Sequence, residues 1–220
     1  MSRVLVIGGA DQGRQVLDAI AADGDHTPVG VLDRALEPGT LVAGVPVLGA
    51  DVDLAARAAE VGADAFVVAI GDNAARGALL ERSCGAAPGL TPATVVHPAA
   101  VVARDAVVGP GSILLAGCVV GNGTRLGRGV LVGIRASVDH DGDVADHASL
   151  GPGATTGGTV RIGHATAIGL GASVIHGVTV GEHTVVGAGA VVLEDLPAFV
   201  VAHGVPARVA RTRQAGERYL

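Results

Sequence analysis

From Val96 to Val192 the chain repeats every six residues: Val96, Val102, Val108, Leu114, Val120, Leu126 and so on, with one interruption of the aliphatic series, at Thr156. Two positions before each member stands a residue that is never large or charged, as at Ala100, Ala106, Ser112, Cys118, Thr124, Gly142 and Ala190. Directly after it Gly is frequent, as at Gly109, Gly121, Gly133, Gly151, Gly169 and Gly187. A helix repeats near 3.6 residues and a strand near 2, so a sustained period of six fits neither alone. It fits a prism of short parallel strands with a corner after each. The aliphatic points inward, the small residue shares the crowded axis, and Gly relieves the turn. Three hexads close a triangular coil of about eighteen residues. The stretch then builds about five to six coils, a rod of roughly 27 Å at ~4.8 Å per coil.

Composition agrees. The hydrophobic fraction is 49% but aromatics are 1%, so the core must be Val, Leu, Ile and Ala, which suits narrow coils. The 35 glycines fall in register and are not low-complexity disorder. A net charge of -6 leaves no footprint for nucleic acid, and no Lys/Arg cluster suggests a membrane surface. Cys84 and Cys118 form neither a disulfide framework nor a CxxC metal motif. Cys118, in the small-residue series, reads as packing. The opening MSRVLVIGG has too short an apolar run for a signal peptide, and no span has the length of a membrane helix. A cytoplasmic protein without membrane insertion is expected.

Ahead of the rod the pattern is α/β. A buried strand, Arg3 to Ile7, runs into Gly8-Gly9-Ala10-Asp11-Gln12-Gly13 and a helix from about Arg14 to Ala22. Such a turn lets backbone N–H groups approach a phosphate; a tight βα turn without a ligand explains the glycines equally well. Val29 to Leu32 is a second strand ending at Asp33-Arg34, Val45 to Leu48 a third, Leu54 to Glu60 a helix, and Asp64 to Ile70 a fourth strand. The last ends at Gly71-Asp72-Asn73, before a helix carrying Arg76. Asp33 is suited to a sugar or base hydroxyl and equally to a solvated loop. Together Gly9, Asp11, Gln12, Gly13, Asp33, Arg34, Gly71, Asp72, Asn73 and Arg76 would gather at the carboxyl edge of one parallel sheet, where open α/β sheets bind ligands. That convergence favours a phosphorylated ligand. The expected division is an α/β Rossmann-like domain over 1–88, a linker at 85–92, an all-β parallel β-helix over 93–196, and a tail over 197–220 packed on it. Residues 214–220 are expected to be frayed or helical.

The rod is poor in polar groups, so His140, His147, His164, His176 and His183 stand out. Asp139 and Asp141 flank His140. A carboxylate beside an imidazole raises its basicity and fixes its tautomer, which suits a general base; an exposed histidine at an acidic corner is the equal alternative. His140 and His176 are thirty-six residues apart, as are His147 and His183, two coils or roughly 10 Å. That is too far for one zinc within a chain.

Five segments carry a resemblance across nearly the whole chain: Val4-Leu5-Val6-Ile7-Gly8-Gly9-Ala10 with Gly13, Ala69-Ile70-Gly71-Asp72-Asn73, Val96-His97-Pro98, Ser137-Val138-Asp139-His140-Asp141, and Gly204-Val205-Pro206-Ala207-Arg208. The chain resembles the nucleotide-sugar and sialic-acid acetyltransferases that join a Rossmann-like domain to a left-handed β-helix of hexapeptide repeats. The resemblance implies a homotrimer, acetyl-coenzyme A in the groove between adjacent β-helices, and a nucleotide sugar in the first domain. It implies His140 as catalytic base, Asp141 as its partner, direct attack on the thioester, and no metal. It also implies coenzyme contacts at Ser149, Gly158, Gly169, Leu170 and Gly187. Two positions depart from the family pattern, which often has histidine where this chain has Ser149 and Gln12. The leading expectation is N-acetylation of a nucleotide-linked amino sugar. A sialic-acid-type O-acetyltransferase, a non-catalytic nucleotide-sugar-binding trimer and a zinc-dependent β-helix hydrase are the alternatives.

Overall fold

The computed structural model describes residues 1–219. The first part is a sheet of order β3-β4-β2-β1-β5-β6. It comprises β1 (Ser2–Ile7), β2 (His26–Leu32), β3 (Leu41–Val42), β4 (Val45–Gly49), β5 (Ala65–Val68) and β6 (Thr91–Pro92). β1 lies between β2 and β5, parallel to both. Val4, Leu5, Val6 and Ile7 are all buried, as expected of a strand covered on both faces. Helix α1 (Asp11–Asp23) ends at Gly24 in the left-handed region, and α2 (Leu54–Val61) ends likewise at Gly62. α3 (Asn73–Ala86) starts on Asp72, whose carboxylate accepts the Ala75 N–H at 2.9 Å.

The rod holds seventeen two-residue strands, β7 to β23, from Val95–Val96 to Val191–Val192. Each of β7 to β20 pairs in parallel with the strand eighteen residues on, as in Ile113↔Leu131, Val119↔Ser137 and Arg125↔Asp143. Three sheets result, the sides of a left-handed β-helix. The first side carries Val95–Val96, Ile113–Leu114, Leu131–Val132, Ser149–Leu150, Ala167–Ile168 and Val185–Val186. From Leu114 onward every aliphatic of the six-residue series is buried, as are Cys118, Ala136, Ala148, Ala154, Ala172 and Ala190 of the companion series. Burial pushes the Cys118 thiol up to about 11, which makes it inert.

The glycines after each aliphatic do a different job from the one expected. Left-handed φ falls two residues further on, at Gly111, Gly117, Gly123 and Gly129, and at the non-glycine residues Arg135, Asp141, His147 and His183. The earlier glycine gives room to the next coil: a Cβ on Gly133 would stand 2.8 Å from Leu150 O and Pro152 N. Other expectations shift at their edges. The fourth strand is shorter, Ala65–Val68, and α1 begins earlier, at Asp11. The expected linker at 85–92 is largely structured, since α3 runs to Ala86 and Thr91–Pro92 pairs with β5.

After the rod, β24 (Val200–His203) adds to the first side, and β25 (Arg208–Thr212) pairs antiparallel with it. Residues 214–219 are neither strand nor helix; they cross back toward the α/β domain. That domain sits on the first side of the rod: Val16, Leu17 and Ile20 of α1 share one apolar cluster with Val95, Ile113 and Leu131. Among the described residues no helix is long and apolar enough to cross a membrane.

Candidate active site

His140 occupies the corner between the second and third sides. Its neighbour Asp141 takes the left-handed turn position, φ 54°, where eight other corners have glycine. A non-glycine residue there costs about 1–2 kcal/mol, least for Asp and Asn. In return the carboxylate reaches the ring: Asp141 Oδ2 lies 2.9 Å from His140 Nδ1. The His140 backbone N–H donates to Asp139 Oδ1 at 2.8 Å. The Asp141 hydrogen bond, then the Asp139 charge, raise the imidazole above its ordinary range. The ring lies across Gly158 of the next coil, where any Cβ would collide with Nε2 and Cε1. With Nδ1–H donated to Asp141, the neutral ring presents its lone pair at Nε2, on an exposed surface.

At the carboxyl edge of the α/β sheet lies a cleft of about 640 Å³ lined by Asp33, Arg34, Asp51, Asp72, Arg82 and Arg218, with Gly8 and Ile70 on its floor. Its three carboxylates are all in use. Asp33 Oδ2 accepts the Gly9 N–H at 2.7 Å and Oδ1 the Ala35 N–H at 2.8 Å, so Asp33 braces the glycine turn. Asp72 caps α3. Asp51, buried, holds Arg34 at 3.0 Å and also Arg82; those two pairings lower its pKa although burial alone would raise it. The guanidiniums remain largely exposed, so the cleft offers cation donors to an anion.

Across the 70–72 turn lies a second cavity, an apolar crevice of about 450 Å³ between the α/β domain and the first side. Leu131, Ala167 and Val185 form its apolar wall, with Gln12, Gly71, Ser149 and Tyr219 at its rim. The Gln12 Nε2 is buried without a partner among the described residues, and Gln12 lines the crevice. Gly169, Leu170 and Gly187 line the same crevice. Gly158 does not; it belongs under His140.

The ten expected acceptor residues therefore part company. Asp33, Arg34 and Asp72 line the cleft, and Gln12 and Gly71 the crevice. Gly9 and Gly13 build the turn, since a Cβ on Gly13 would strike Gly8 O. Asp11 faces solvent, paired with Arg14. Asn73 and Arg76 are a correction: both are buried in the seam between domain and rod. Arg76 donates from Nε to Gly129 O at 2.9 Å and from Nη1 to Ile70 O and Gly71 O at 3.1 Å each. Its Nη2 reaches Asn73 Oδ1 at 2.7 Å, His147 O at 2.8 Å and Ala148 O at 3.2 Å. Asn73 Nδ2 donates to Thr166 O at 3.0 Å. No donor of Arg76 is left for a ligand, and burial pulls its pKa down to about 10.

The seam also holds what the column arithmetic missed. His164 lies between His147 and His183, with edge-to-face ring centroids at 5.4 and 5.3 Å, and Phe199 stacks on His183. Among the described residues no three His, Cys, Asp or Glu side chains lie so as to hold a metal ion. Asp51, Arg82, Arg218 and Tyr219 were also missed. Only Tyr219, the single tyrosine of the chain, carried any signal.

Residues 3–83 match the PglD N-terminal domain family. Among solved structures, PerB from Caulobacter crescentus, in complex with CoA and GDP-perosamine, is 36% identical over 96% of this chain and 98% of that one, with a TM-score of 0.89. The acetyltransferase domain of PglB from Neisseria gonorrhoeae, in complex with acetyl coenzyme A, is 32% identical over 94% and 98%, with a TM-score of 0.86. WeeI from Acinetobacter baumannii is 26% identical over 95% and 100%, with a TM-score of 0.81. No curated protein matches the chain by sequence.

Proposed function

The chain belongs to the hexapeptide-repeat family of sugar N-acetyltransferases, and on that premise we propose that it moves an acetyl group from acetyl-coenzyme A to the amino group of a nucleotide-linked amino sugar. The observation that carries the proposal is the His140–Asp141 pair: an exposed imidazole held through Nδ1 at 2.9 Å, with Nε2 as the free base. The related PerB structure, bound to CoA and GDP-perosamine, supports the same donor and acceptor class.

In the reaction the acceptor amine attacks the thioester carbonyl while His140 Nε2 takes its proton. Asp141 keeps the ring in the required tautomer and stabilises the imidazolium. The tetrahedral oxyanion collapses, the carbon–sulfur bond breaks, and the proton leaves with the thiol of coenzyme A. No acyl-enzyme forms. The cleft takes the nucleotide diphosphate. The crevice takes the sugar and the reactive end of the coenzyme, with Ser149, Gly169, Leu170 and Gly187 at its wall.

His140 stands at the corner opposite the first side, so one protomer cannot bring it to its own crevice. A homotrimer of parallel rods, each presenting its His140 corner to a neighbour's crevice, completes the site.

The test is thiol release with acetyl-coenzyme A and a panel of UDP-, dTDP- and GDP-linked amino sugars, with sialic acid alongside. Release with one amino sugar, lost by ~10²-fold or more in His140→Ala, is the expected outcome. Near wild-type turnover in His140→Ala would overturn the role of the base. Release only with a hydroxyl acceptor would replace the N-acetyl reading by O-acetylation.

A further inference from the structure

The segment after β25 is built into both cavities. Arg213, buried, anchors it: Nη1 donates to His183 O at 2.6 Å and Nη2 to Glu217 O. Glu217 in turn pairs with Arg211 at 2.7 Å and accepts the Gln214 N–H at 3.1 Å. Gly216, at φ 74°, turns the chain across the seam. As a result the consecutive residues Arg218 and Tyr219 fall on opposite sides of the 70–72 turn. Arg218 lines the cleft beside Arg34 and Arg82, and Tyr219 lines the crevice beside Ser149.

The two residues arrive with different chemistry. Arg34 and Arg82 spend donors on Asp51, whereas Arg218 has no carboxylate partner among the described residues. A guanidinium in that setting matches a phosphate oxygen pair. The Tyr219 hydroxyl accepts the Asn73 N–H at 3.3 Å and shares the crevice lining with Ser149, while Arg213 lies 5.7 Å from the ring centroid. The hydroxyl is thus oriented at the rim of an otherwise apolar crevice, near the unpartnered Gln12 amide. A sugar entering such a crevice loses water from each hydroxyl and needs replacement partners.

We propose that Arg218 and Tyr219 are acceptor-binding residues: Arg218 grips the diphosphate in the cleft, and the Tyr219 hydroxyl hydrogen-bonds a hydroxyl of the sugar in the crevice. The segment thereby couples recognition of the two halves of one nucleotide sugar. The proposal rests on the nucleotide-sugar reading above.

The test compares wild type with Arg218→Ala, Arg218→Lys and Tyr219→Phe. Steady-state kinetics would vary the amino-sugar acceptor and acetyl-coenzyme A in turn, and calorimetry would titrate the free nucleoside diphosphate. Arg218→Ala should raise the acceptor KM and the diphosphate Kd by roughly 10- to 100-fold. It should leave the coenzyme KM within about twofold, and Arg218→Lys should recover part of the loss. Tyr219→Phe should cut kcat/KM for the acceptor by roughly 5- to 10-fold and leave diphosphate binding unchanged. Both variants keeping acceptor KM and diphosphate Kd at wild-type values, in an enzyme that turns the acceptor over, would overturn the proposal alone. A wild-type protein that neither binds a nucleoside diphosphate nor acetylates any nucleotide-linked amino sugar would overturn the functional reading and this proposal with it.

Discussion

Replacing Arg76 with alanine should loosen the seam between the α/β domain and the rod by about 3–5 kcal/mol. The guanidinium is 1% exposed, and five of its six acceptors are backbone carbonyls. Gly129 and His147, whose carbonyls it takes at 2.9 and 2.8 Å, are themselves buried, and each orphaned carbonyl costs about 1–3 kcal/mol. Truncation also leaves a cavity in a packed seam, worth about 2–4 kcal/mol more. Against this, the native charge already bears the burial that pulls its pKa down to about 10, a cost of about 3 kcal/mol that the variant no longer carries. The net loss of about 3–5 kcal/mol corresponds to a fall in Tm of roughly 6–20 °C for a chain of this size. Urea titration and a thermal scan measure it, and limited proteolysis around residues 86–93 reports whether the two parts separate before either unfolds. Arg76→Lys should lie between, because an ammonium has three donors and no fork. A loss below about 1 kcal/mol in Arg76→Ala, with unchanged proteolysis, would refute the reasoning that carbonyl satisfaction by this side chain joins the parts.

Three further outcomes follow from the site. The acid limb of kcat/KM should lie above the ordinary imidazole range, because Asp141 and then Asp139 favour the protonated ring; activity falls as pH drops through that pKa, and Asp141→Asn should move the limb to lower pH while reducing kcat. Gly158→Ala should displace the His140 ring and reduce kcat by roughly 10-fold or more with little change in Tm, and an unchanged kcat would deny that the ring rests on Gly158. His147 and His183 are held below the usual imidazole range, first by burial and then by His164. On acidification the unfolded chain takes up protons first, so their contribution to stability is complete above the unfolded pKa of about 6.5 and is lost as pH falls below it. A denaturation series from pH 8 to 5 should show that loss, and it should shrink in His147→Gln.

The six-residue period could be read without a structure because each hexad repeats the same local demand. An aliphatic must fill the axis, a small residue must clear it, and the next coil must stack at a strand spacing. Val120, Cys118 and their repeats therefore announced the β-helix. The alternation of apolar runs and glycine turns, from Val4 to Gly13 and from Ala65 to Gly71, announced the parallel sheet and the edge where the cleft lies. His140 and Asp141 were legible for the same local reason: they are adjacent in the chain and share one corner.

Tertiary structure decided what pairs at a distance. Nothing near Arg76 in sequence says that its donors meet Gly129 and His147, fifty-three and seventy-one residues away, so a buried clamp read as a ligand group. Nothing near Gly133 separates a glycine that turns the chain from one that admits the next coil, because only the stacking of coils creates the clash. The histidine column needed a seventeen-residue offset at His164 that an eighteen-residue ruler passes over. Tyr219 and Arg218 reach the two cavities only because Arg213 is tied to His183. In this protein the sequence determines, through local periodicity, the rod, the sheet and the candidate base. The placement of charged and polar side chains depends on the docking of the α/β domain and the final segment onto the rod, where desolvation drives buried donors such as those of Arg76 to carbonyls wherever the chain supplies them.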